Sequence, residues 1–289
     1  MSKKIKCIAI MAIVIGVMGG ICDFLSPSIN VDEGKVFKNS TSENAMSGVP
    51  IVSARGAILM DMTGDVIFEK DADKKLYPAS TTKIMTALVT LEILEEIDAG
   101  LDSEIVVPKE AVGLEGSSVY LEEGEVVTVE ELLYGAMLQS GNDAATALAC
   151  CMGPGLESFV ERMNKRAKEL GCMQTNFVNP TGLFDENHYT TARDLAHIST
   201  EAMKNEAFRK IVGSKKWESG ISGRTFVNKN KAITQYEGAT GVKIGYTKKS
   251  GRTLVAAAKR EGKELVAVVL NDVNWFNDAY AMLDYGFED

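Results

Sequence analysis

The sequence has few of the residues from which metal sites and disulfides are built. Of 289 residues only two are histidine, and the five cysteines, which form no CxxC pair, are Cys7, Cys22, Cys150, Cys151 and Cys172. Zinc sites need three or four nitrogen or sulfur ligands at close spacing, so a zinc ribbon or a histidine-based metal site is excluded. A disulfide from Cys172 to Cys150 or Cys151 stays open. We expect no metal and no organic cofactor.

Other shortages narrow the class of protein further. Glycine at 26 and proline at 6 are too few for collagen-like or proline-rich architectures, whereas 45% hydrophobic residues are too many for a disordered chain. Lysine and arginine total 31 against 40 aspartates and glutamates, a net charge of −9. An acidic surface repels phosphate backbones, so we expect no nucleic-acid partner.

The N-terminus has the pattern of an export signal. Three lysines within the first six residues precede an uncharged run at 7–22. About 15 apolar residues suit a secretory signal better than a membrane span, which needs about 20. Without a clear cleavage site, residues 1–22 predict either a signal peptide or a signal anchor, the one expected membrane contact. The polar stretch 23–48 predicts a flexible tether, and 49–289 a folded domain outside the cytoplasm, at the membrane face, in the cell wall or secreted.

Apolar patterning within that domain places strands at its two ends and helices between them. The predicted elements are a β-hairpin over 54–60 and 65–70, helices over 80–94, 131–140, 144–152 and 156–170, paired strands over 252–260 and 264–270, and a closing helix over 275–285. Thr128 and Glu131 have the spacing of a capping box. This order predicts an α+β fold, with an antiparallel sheet flanked by helices and an all-helical lobe.

Ser80-Thr81-Thr82-Lys83 is the first candidate for chemistry. Residues three apart at a helix start share one face, so the lysine amine can reach the serine hydroxyl. A buried lysine near a second cation loses its proton more readily and can act as a general base. The same four residues also fit an ordinary helix-capping serine followed by a solvated lysine, and the motif alone favours neither.

Two further motifs follow in chain order. Ser140-Gly141-Asn142, between two helices, offers a hydroxyl and an amide for proton transfer and substrate orientation, or simply a helix C-cap followed by an N-cap. Lys243-Ile244-Gly245 offers a strand cation beside a position that backbone can approach closely, or an exposed strand lysine. Taken alone, each of these two motifs favours its structural interpretation, the helix caps for 140–142 and the exposed strand lysine for 243–245.

The three motifs in this order resemble the penicillin-recognising serine enzymes, and most closely the D-alanyl-D-alanine carboxypeptidases, the low-molecular-mass penicillin-binding proteins. The similarity runs from about residue 53 to 287. The stretches that carry it are RGAILMDMTGDVIFEKDADKKLYPASTTKIMTALV, LLYGAMLQSGNDAATALA, FVNPTGLFDENHYTTARDLA, GVKIGYTKKSGRTLVAAAKR and the ending LDYGF. The resemblance implies a β-lactamase/transpeptidase-like fold and a peptidoglycan stem peptide ending in D-Ala-D-Ala as substrate, with β-lactams as covalent inhibitors.

The resemblance also implies a role for each matched residue. Ser80 would be the acylated nucleophile and Lys83 its base, with Ser140 relaying protons. The substrate would be bound by Asn142, Lys243, Gly245 and the backbone of Tyr246, and Lys229 would be a further carboxylate contact. The backbone N–H groups of Ser80 and Tyr246 would form the oxyanion hole. His188 and Asp194 are interpreted as structural, so a Ser-His-Asp triad is not expected.

Ile244 departs from the family pattern, which has threonine or serine at the middle of the third motif. A hydroxyl that donates to a carboxylate is worth about 1.5–3 kcal/mol, or roughly 10- to 150-fold in rate or affinity. Isoleucine cannot donate, and we expect it to add bulk near the substrate and to weaken turnover. Lys249-Ser250-Gly251 repeats the pattern but is predicted to lie in the turn after the strand.

Two alternatives remain beside the carboxypeptidase. A class A-like β-lactamase is one, although that family usually has S-D-N where this chain has Ser140-Gly141-Asn142, and no glutamate of a matching water-activating loop occurs in NPTGLFDENHYTT. The other is a catalytically impaired homologue that binds the cell wall, favoured by Ile244 and opposed by the presence of both Ser80 and Lys83.

Overall fold

The computed structural model describes residues 48–288, so the predicted signal segment and nearly all of the predicted tether lie outside the described residues. The strands are β1 Gly56–Asp61, β2 Val66–Lys70, β3 Glu104–Val106, β4 Val126–Thr128, β5 Lys216–Glu218, β6 Thr225–Val227, β7 Ala239–Thr247, β8 Gly251–Arg260 and β9 Lys263–Leu270. The helices are α1 Lys83–Glu96, α2 Val129–Leu138, α3 Asn142–Cys151, α4 Leu156–Glu169, α5 Ala192–Ala202, α6 Glu206–Gly213, α7 Ala232–Gln235 and α8 Trp275–Glu288.

Strands from the two ends of the domain form one five-stranded antiparallel sheet in the order β2-β1-β9-β8-β7. The hairpins β1–β2 and β8–β9 are those predicted from the sequence. β1 pairs with β9 from Gly56 opposite Leu270 to Asp61 opposite Leu265, which joins the two hairpins across most of the chain. Within residues 48–288, β7 has a strand neighbour on one side only.

The sheet separates two apolar cores, because successive side chains of a strand point to opposite faces. On one face Ile58, Val255 and Val268 pack with α1, α2, α3 and α5. On the other, Leu59, Leu254 and Val269 pack with Met282 and Leu283 of α8. This arrangement confirms the predicted α+β class with helices on both faces.

The helical part begins its elements largely where the sequence predicted. Thr128 caps α2, since its Oγ1 accepts from the N–H of Glu131 at 3.1 Å. The second half of the predicted capping box is not formed. The buried Glu131 carboxylate instead accepts from the hydroxyls of Ser219 and Ser222, both at 2.6 Å, and from Arg224 at 3.0 Å, and so holds the β5–β6 ribbon against α2.

Two details qualify the sequence analysis. The ribbons β3–β4 and β5–β6 interrupt the helical part, which was expected to contain helices alone. Cys172 is a free thiol, so the disulfide left open above is not formed. Among the helices of the described part of the chain, none combines the length and apolarity that crossing a membrane requires.

Candidate active site

Ser80 lies in a 3₁₀ turn, Ala79–Thr82, that leads directly into α1. Lys83 is the first residue of α1, so the two side chains lie on the same face and the Lys83 Nζ donates to the Ser80 Oγ at 3.2 Å. Ala79 takes a positive φ of 49° just before the serine. The tight turn therefore presents the Ser80 hydroxyl while Lys83 is fully buried beneath it.

Lys83 has three hydrogen-bond acceptors and no carboxylate among them. Besides Ser80, its Nζ donates to Asn142 Oδ1 and to the Thr181 carbonyl oxygen, both at 2.7 Å. Burial, with a smaller contribution from the nearby Lys243 and Lys229 ammonium groups, holds the pKa of Lys83 well below its usual value, and Asp143 opposes this only in part. The amine is thus biased toward its neutral form, in which it can accept a proton.

The segment 179–182 supplies the carbonyl that positions Lys83. Asn179 Oδ1 accepts from the N–H and hydroxyl of Thr181 and from the N–H of Gly182, at 2.8 to 3.1 Å. Gly182 has a φ of 81°, and a Cβ there would lie 1.8 Å from the Ala79 carbonyl oxygen. Only glycine allows this loop to pack so closely against the nucleophile turn.

Ser140 and Asn142 enter the site at the break between α2 and α3. Ser140 has a φ of 63° and is buried, and its Oγ accepts from Lys243 Nζ at 3.0 Å. Asn142 is held at both ends of its amide, since Oδ1 accepts from Lys83 and Nδ2 donates to the Glu115 carbonyl oxygen at 2.7 Å. The break therefore bridges the Ser80–Lys83 pair and the lysine of the strand.

Lys243 is buried, not an exposed strand lysine. Its Nζ also donates to the carbonyl oxygen of Ile244 at 3.0 Å. Burial, and to a lesser degree the charge of Lys229, lowers the pKa of Lys243 to about 7. Gly245 follows at the point of closest approach, where an added Cβ would lie 2.8 Å from the Ser80 backbone nitrogen. The strand wall can approach the nucleophile because position 245 has no side chain.

Lys229 and Tyr246 border the same cleft on its open side. Lys229 Nζ donates to the Gln139 carbonyl oxygen at 2.8 Å, immediately before Ser140. Its charge acts on both Lys83 and Lys243. Tyr246 follows Gly245 on the edge strand, and its side chain is 63% exposed. The structure thus links Ser80, Lys83 and Asn142, and likewise Ser140 and Lys243, by side-chain hydrogen bonds, with Gly245 against Ser80 and with Lys229 and Tyr246 at adjoining positions.

Ile244 lies on the other face of the sheet. It is paired with Leu254 of the α8-side core, whereas Lys243 is paired with Val255 of the opposite core. Its side chain packs against the α8-side cluster. This differs from the expectation that Ile244 adds bulk to the cleft, because the alternation of β7 turns its side chain away from the face that carries Lys243. The effect of the missing hydroxyl on turnover stays a prediction.

His188 lies behind the site and does not face the Ser80 hydroxyl. Its Nε2 bonds to Thr82 Oγ1 at 2.8 Å, and its Nδ1 accepts from the Val178 N–H at 3.2 Å. This pairing requires a proton on Nε2 and none on Nδ1. Burial lowers the pKa of His188 from 6.5 to about 4. The residue is a neutral support for the nucleophile turn, in line with its structural interpretation.

Asn179 and the Thr181 carbonyl are site groups that sequence reasoning missed. A backbone carbonyl leaves no trace in residue type, and the Asn-Pro-Thr-Gly turn signal at 179–182 was the sole clue. Within residues 48–288, no group of three His, Cys, Asp or Glu side chains is placed to hold a metal ion.

A nucleophile turn, a serine–asparagine break and a buried strand lysine around one cleft define a serine enzyme of the penicillin-recognising class. The chain belongs to the D-alanyl-D-alanine carboxypeptidase family of serine hydrolases, peptidase S11, whose family model matches residues 41–274.

Similar proteins carry the same name. The D-alanyl-D-alanine carboxypeptidase DacF of Bacillus subtilis is 40% identical over 75% of this chain, which spans 57% of that protein. A D-alanyl-D-alanine carboxypeptidase of Streptomyces sp. strain K15 is 34% identical over 86% of this chain and 91% of its own length. The crystal structure of the Streptomyces K15 DD-transpeptidase superposes with a TM-score of 0.77 at 36% identity, over 83% of this chain and 99% of that one.

Proposed function

We propose that the protein is a serine D-Ala-D-Ala carboxypeptidase that trims peptidoglycan stem peptides through an acyl-enzyme on Ser80. One observation carries the proposal: the Lys83 Nζ lies 3.2 Å from the Ser80 Oγ and is buried beside a second buried lysine. These are the conditions under which a lysine amine can take the proton of an attacking hydroxyl.

Acylation begins when Ser80 Oγ attacks the carbonyl carbon between the last two residues of the peptide. The hydroxyl proton passes to the neutral Lys83 Nζ as the new C–O bond forms. The backbone N–H groups of Ser80 and Tyr246 stabilise the oxyanion. The C–N bond then breaks, and the proton held by Lys83 passes through the Ser140 hydroxyl, which bonds to Lys243, to the leaving amine of D-Ala, so that Lys83 is neutral again.

Deacylation reverses this order with water in place of the amine. Lys83 accepts a proton from the water that attacks the acyl carbon, and the C–O bond to Ser80 breaks as the serine recovers its proton. Asn142 supports both steps, because its amide is fixed by Lys83 and by the Glu115 carbonyl. The products are D-Ala and a stem peptide shortened by one residue.

Substrate recognition is assigned to the two cations on the strand side. Lys243 is buried and bonded to Ser140, and Lys229 stands at the open side of the cleft. Their positive charge attracts the C-terminal carboxylate, which the carboxypeptidase reaction requires and an internal peptide bond lacks. A β-lactam presents a carboxylate and a reactive carbonyl to the same groups and would acylate Ser80.

The place of action follows from the substrate. The relatives are named D-alanyl-D-alanine carboxypeptidases, and the peptidoglycan that we propose as substrate lies outside the cytoplasm. The basic and apolar N-terminal pattern supports export of this chain by a signal peptide or signal anchor, followed by a tether over residues 23–48 and the catalytic domain over 49–289.

The fate of the acyl-enzyme distinguishes a carboxypeptidase from a transpeptidase, a β-lactamase and an impaired homologue. One similar solved structure is named a DD-transpeptidase, in which case an amine would replace water. A β-lactamase would hydrolyse the acyl-enzyme fast, and an impaired wall-binding homologue would form none.

Mass spectrometry after incubation with a penicillin tests the proposal. We expect a long-lived adduct on Ser80, no adduct on Ser80→Ala, and release of D-Ala from a peptide ending in D-Ala-D-Ala. Rapid loss of the adduct would identify a β-lactamase, and absence of any adduct would identify an impaired homologue. Adding an amine acceptor and analysing the products would reveal transpeptidation.

A further inference from the structure

A cavity opens at the end of the sheet where β7 turns into β8, since its lining includes Lys249 from that turn and Asn271, which follows β9. Its volume is about 360 Å³, and four of its lining side chains are cationic in a chain whose net charge is −9. The lining includes the cations Arg55, Lys74, Lys75 and Lys249, together with Tyr77 and Glu186. We call this cavity the basic pocket.

Among residues 48–288, no carboxylate forms an ion pair within 4.0 Å with the cations of the basic pocket, Arg55, Lys74, Lys75 and Lys249. Lys75 Nζ instead lies 4.4 Å from the Tyr189 ring centroid, and Lys249 Nζ lies 5.8 Å from that of Phe184. Glu186 is the one acidic side chain of the lining. The pocket therefore retains a positive charge suited to an anion.

The basic pocket is within reach of the nucleophile. Tyr77, in its wall, lies three residues before Ser80, and three extended residues span at most about 11 Å. Tyr77 also packs edge to face on Phe184, with ring centroids 5.0 Å apart. Both aromatic rings are partly exposed, so an apolar surface accompanies the path between cleft and pocket.

The direction in which a bound peptide would run along β7 also leads to the basic pocket. Under the proposed function, the terminal carboxylate lies toward Lys243, which precedes Gly245 by two positions. The upstream part of the peptide must then leave in the opposite sense, along β7 toward Thr247 and the turn that holds Lys249. A strand advances about 3.3 Å per residue, so the peptide reaches this turn two or three residues before the scissile bond.

We propose that the basic pocket binds a free carboxylate of the substrate peptide, carried by a residue two or three positions before the scissile bond. The inference rests on the proposed function, because that function sets the direction of the peptide. It assigns to Lys74 and Lys249 a preference for acidic stem peptides over peptides whose carboxylate is amidated. Tyr77 and Phe184 contact the carbon chain that carries the carboxylate.

Binding to Ser80→Ala tests this separately from turnover. Two fluorescent peptides ending in D-Ala-D-Ala are compared, identical except for a carboxylate or a carboxamide at the upstream residue, and Kd is measured by anisotropy. We expect the acid to bind about 10-fold more tightly, as one charge-assisted contact allows. Lys74→Gln with Lys249→Gln should abolish the difference. Lys168→Gln with Lys263→Gln, which removes the same charge from exposed positions on α4 and β9 outside the pocket lining, should preserve it.

Three outcomes would overturn the inference: equal affinity of acid and amide, a preference that survives the pocket substitutions, or no binding of either peptide. Failure of the proposed function has a different signature, since it is read on the unsubstituted chain as absence of a penicillin adduct and of D-Ala release. An acid preference on Ser80→Ala together with an inactive unsubstituted chain would support the pocket and reject the enzyme.

Discussion

The two walls of the cleft are built in opposite ways. On the helical wall, the Lys83 Nζ has three hydrogen-bond partners, and Asn179 alone fixes three donors of the loop beneath it. On the strand wall, β7 is an edge strand in the described sheet, and the side chain of Tyr246 is 63% exposed. The groups that we propose move protons are held by redundant bonds, while those that we propose meet the peptide lie along an edge that an extended chain can join.

Replacing the lysine of the helical wall should give the largest effect. Lys83→Met removes the base, and we expect acylation by a penicillin to slow by about 10²- to 10⁴-fold, the usual contribution of general base catalysis. Stopped-flow or timed mass spectrometry measures the rate. Lys83→Arg is the matched control, since it keeps the charge and cannot lose the proton. A near-normal rate in Lys83→Arg would mean that Lys83 acts only as a fixed charge.

The contribution of His188, which supports the turn that carries Ser80, to the free energy of unfolding should decrease in acid. The folded protein binds a proton on His188 only near pH 4, whereas the unfolded chain binds it near 6.5. Between these values the unfolded state holds more protons, so the contribution to stability is complete above about pH 7 and is lost as the pH falls toward 4. At pH 5 the loss is about 2 kcal/mol.

Urea unfolding at pH 7 and pH 5 measures this contribution against His188→Gln, whose amide can serve the same two partners without titrating. We expect the variant to lose less free energy of unfolding than the unsubstituted chain between the two pH values. Parallel losses in both proteins would show that His188 titrates normally.

The smallest effect is expected on the strand wall. Ile244→Thr adds a hydroxyl at a partly buried position on the face of β7 opposite to Lys243. A full bond from a hydroxyl to a carboxylate is worth roughly 10- to 150-fold, and because this side chain points away from the Lys243 face we expect kcat/KM for a D-Ala-D-Ala peptide to rise by at most about 10-fold. Ile244→Val is the control for lost packing. Turnover of the unsubstituted chain equal to or above that of Ile244→Thr would contradict the prediction.

Sequence patterns predicted the elements whose signals are local. The hairpin at Gly64, the turn at Glu261-Gly262 and the Thr128 cap depend on neighbouring residues alone. Glu131 shows where such reasoning fails: its spacing predicts a bond back to Thr128, but Ser219, Ser222 and Arg224 arrive from about ninety residues away and occupy the carboxylate.

In the candidate site, too, contacts between sequence neighbours could be predicted, whereas those set by long-range pairing could not. The motif spacing predicted the contact of Ser80 with Lys83, because one helical turn brings them together. Which way Ile244 points could not be read from the motif, since facing depends on the pairing register of β7 with β8. The Thr181 carbonyl is a main-chain group and has no signature of its own.

The pairing of β1 with β9 joins residues 56–61 to 265–270, and this has a consequence for biogenesis. Contacts so distant along the chain form slowly, because the intervening loop must be ordered first. The central sheet cannot close before β9 has been synthesised, and Lys243 cannot meet Ser140 before β7 has formed. A chain delivered across a membrane from its N-terminus would thus stay inert in transit and acquire its reactivity only once its last strands had followed.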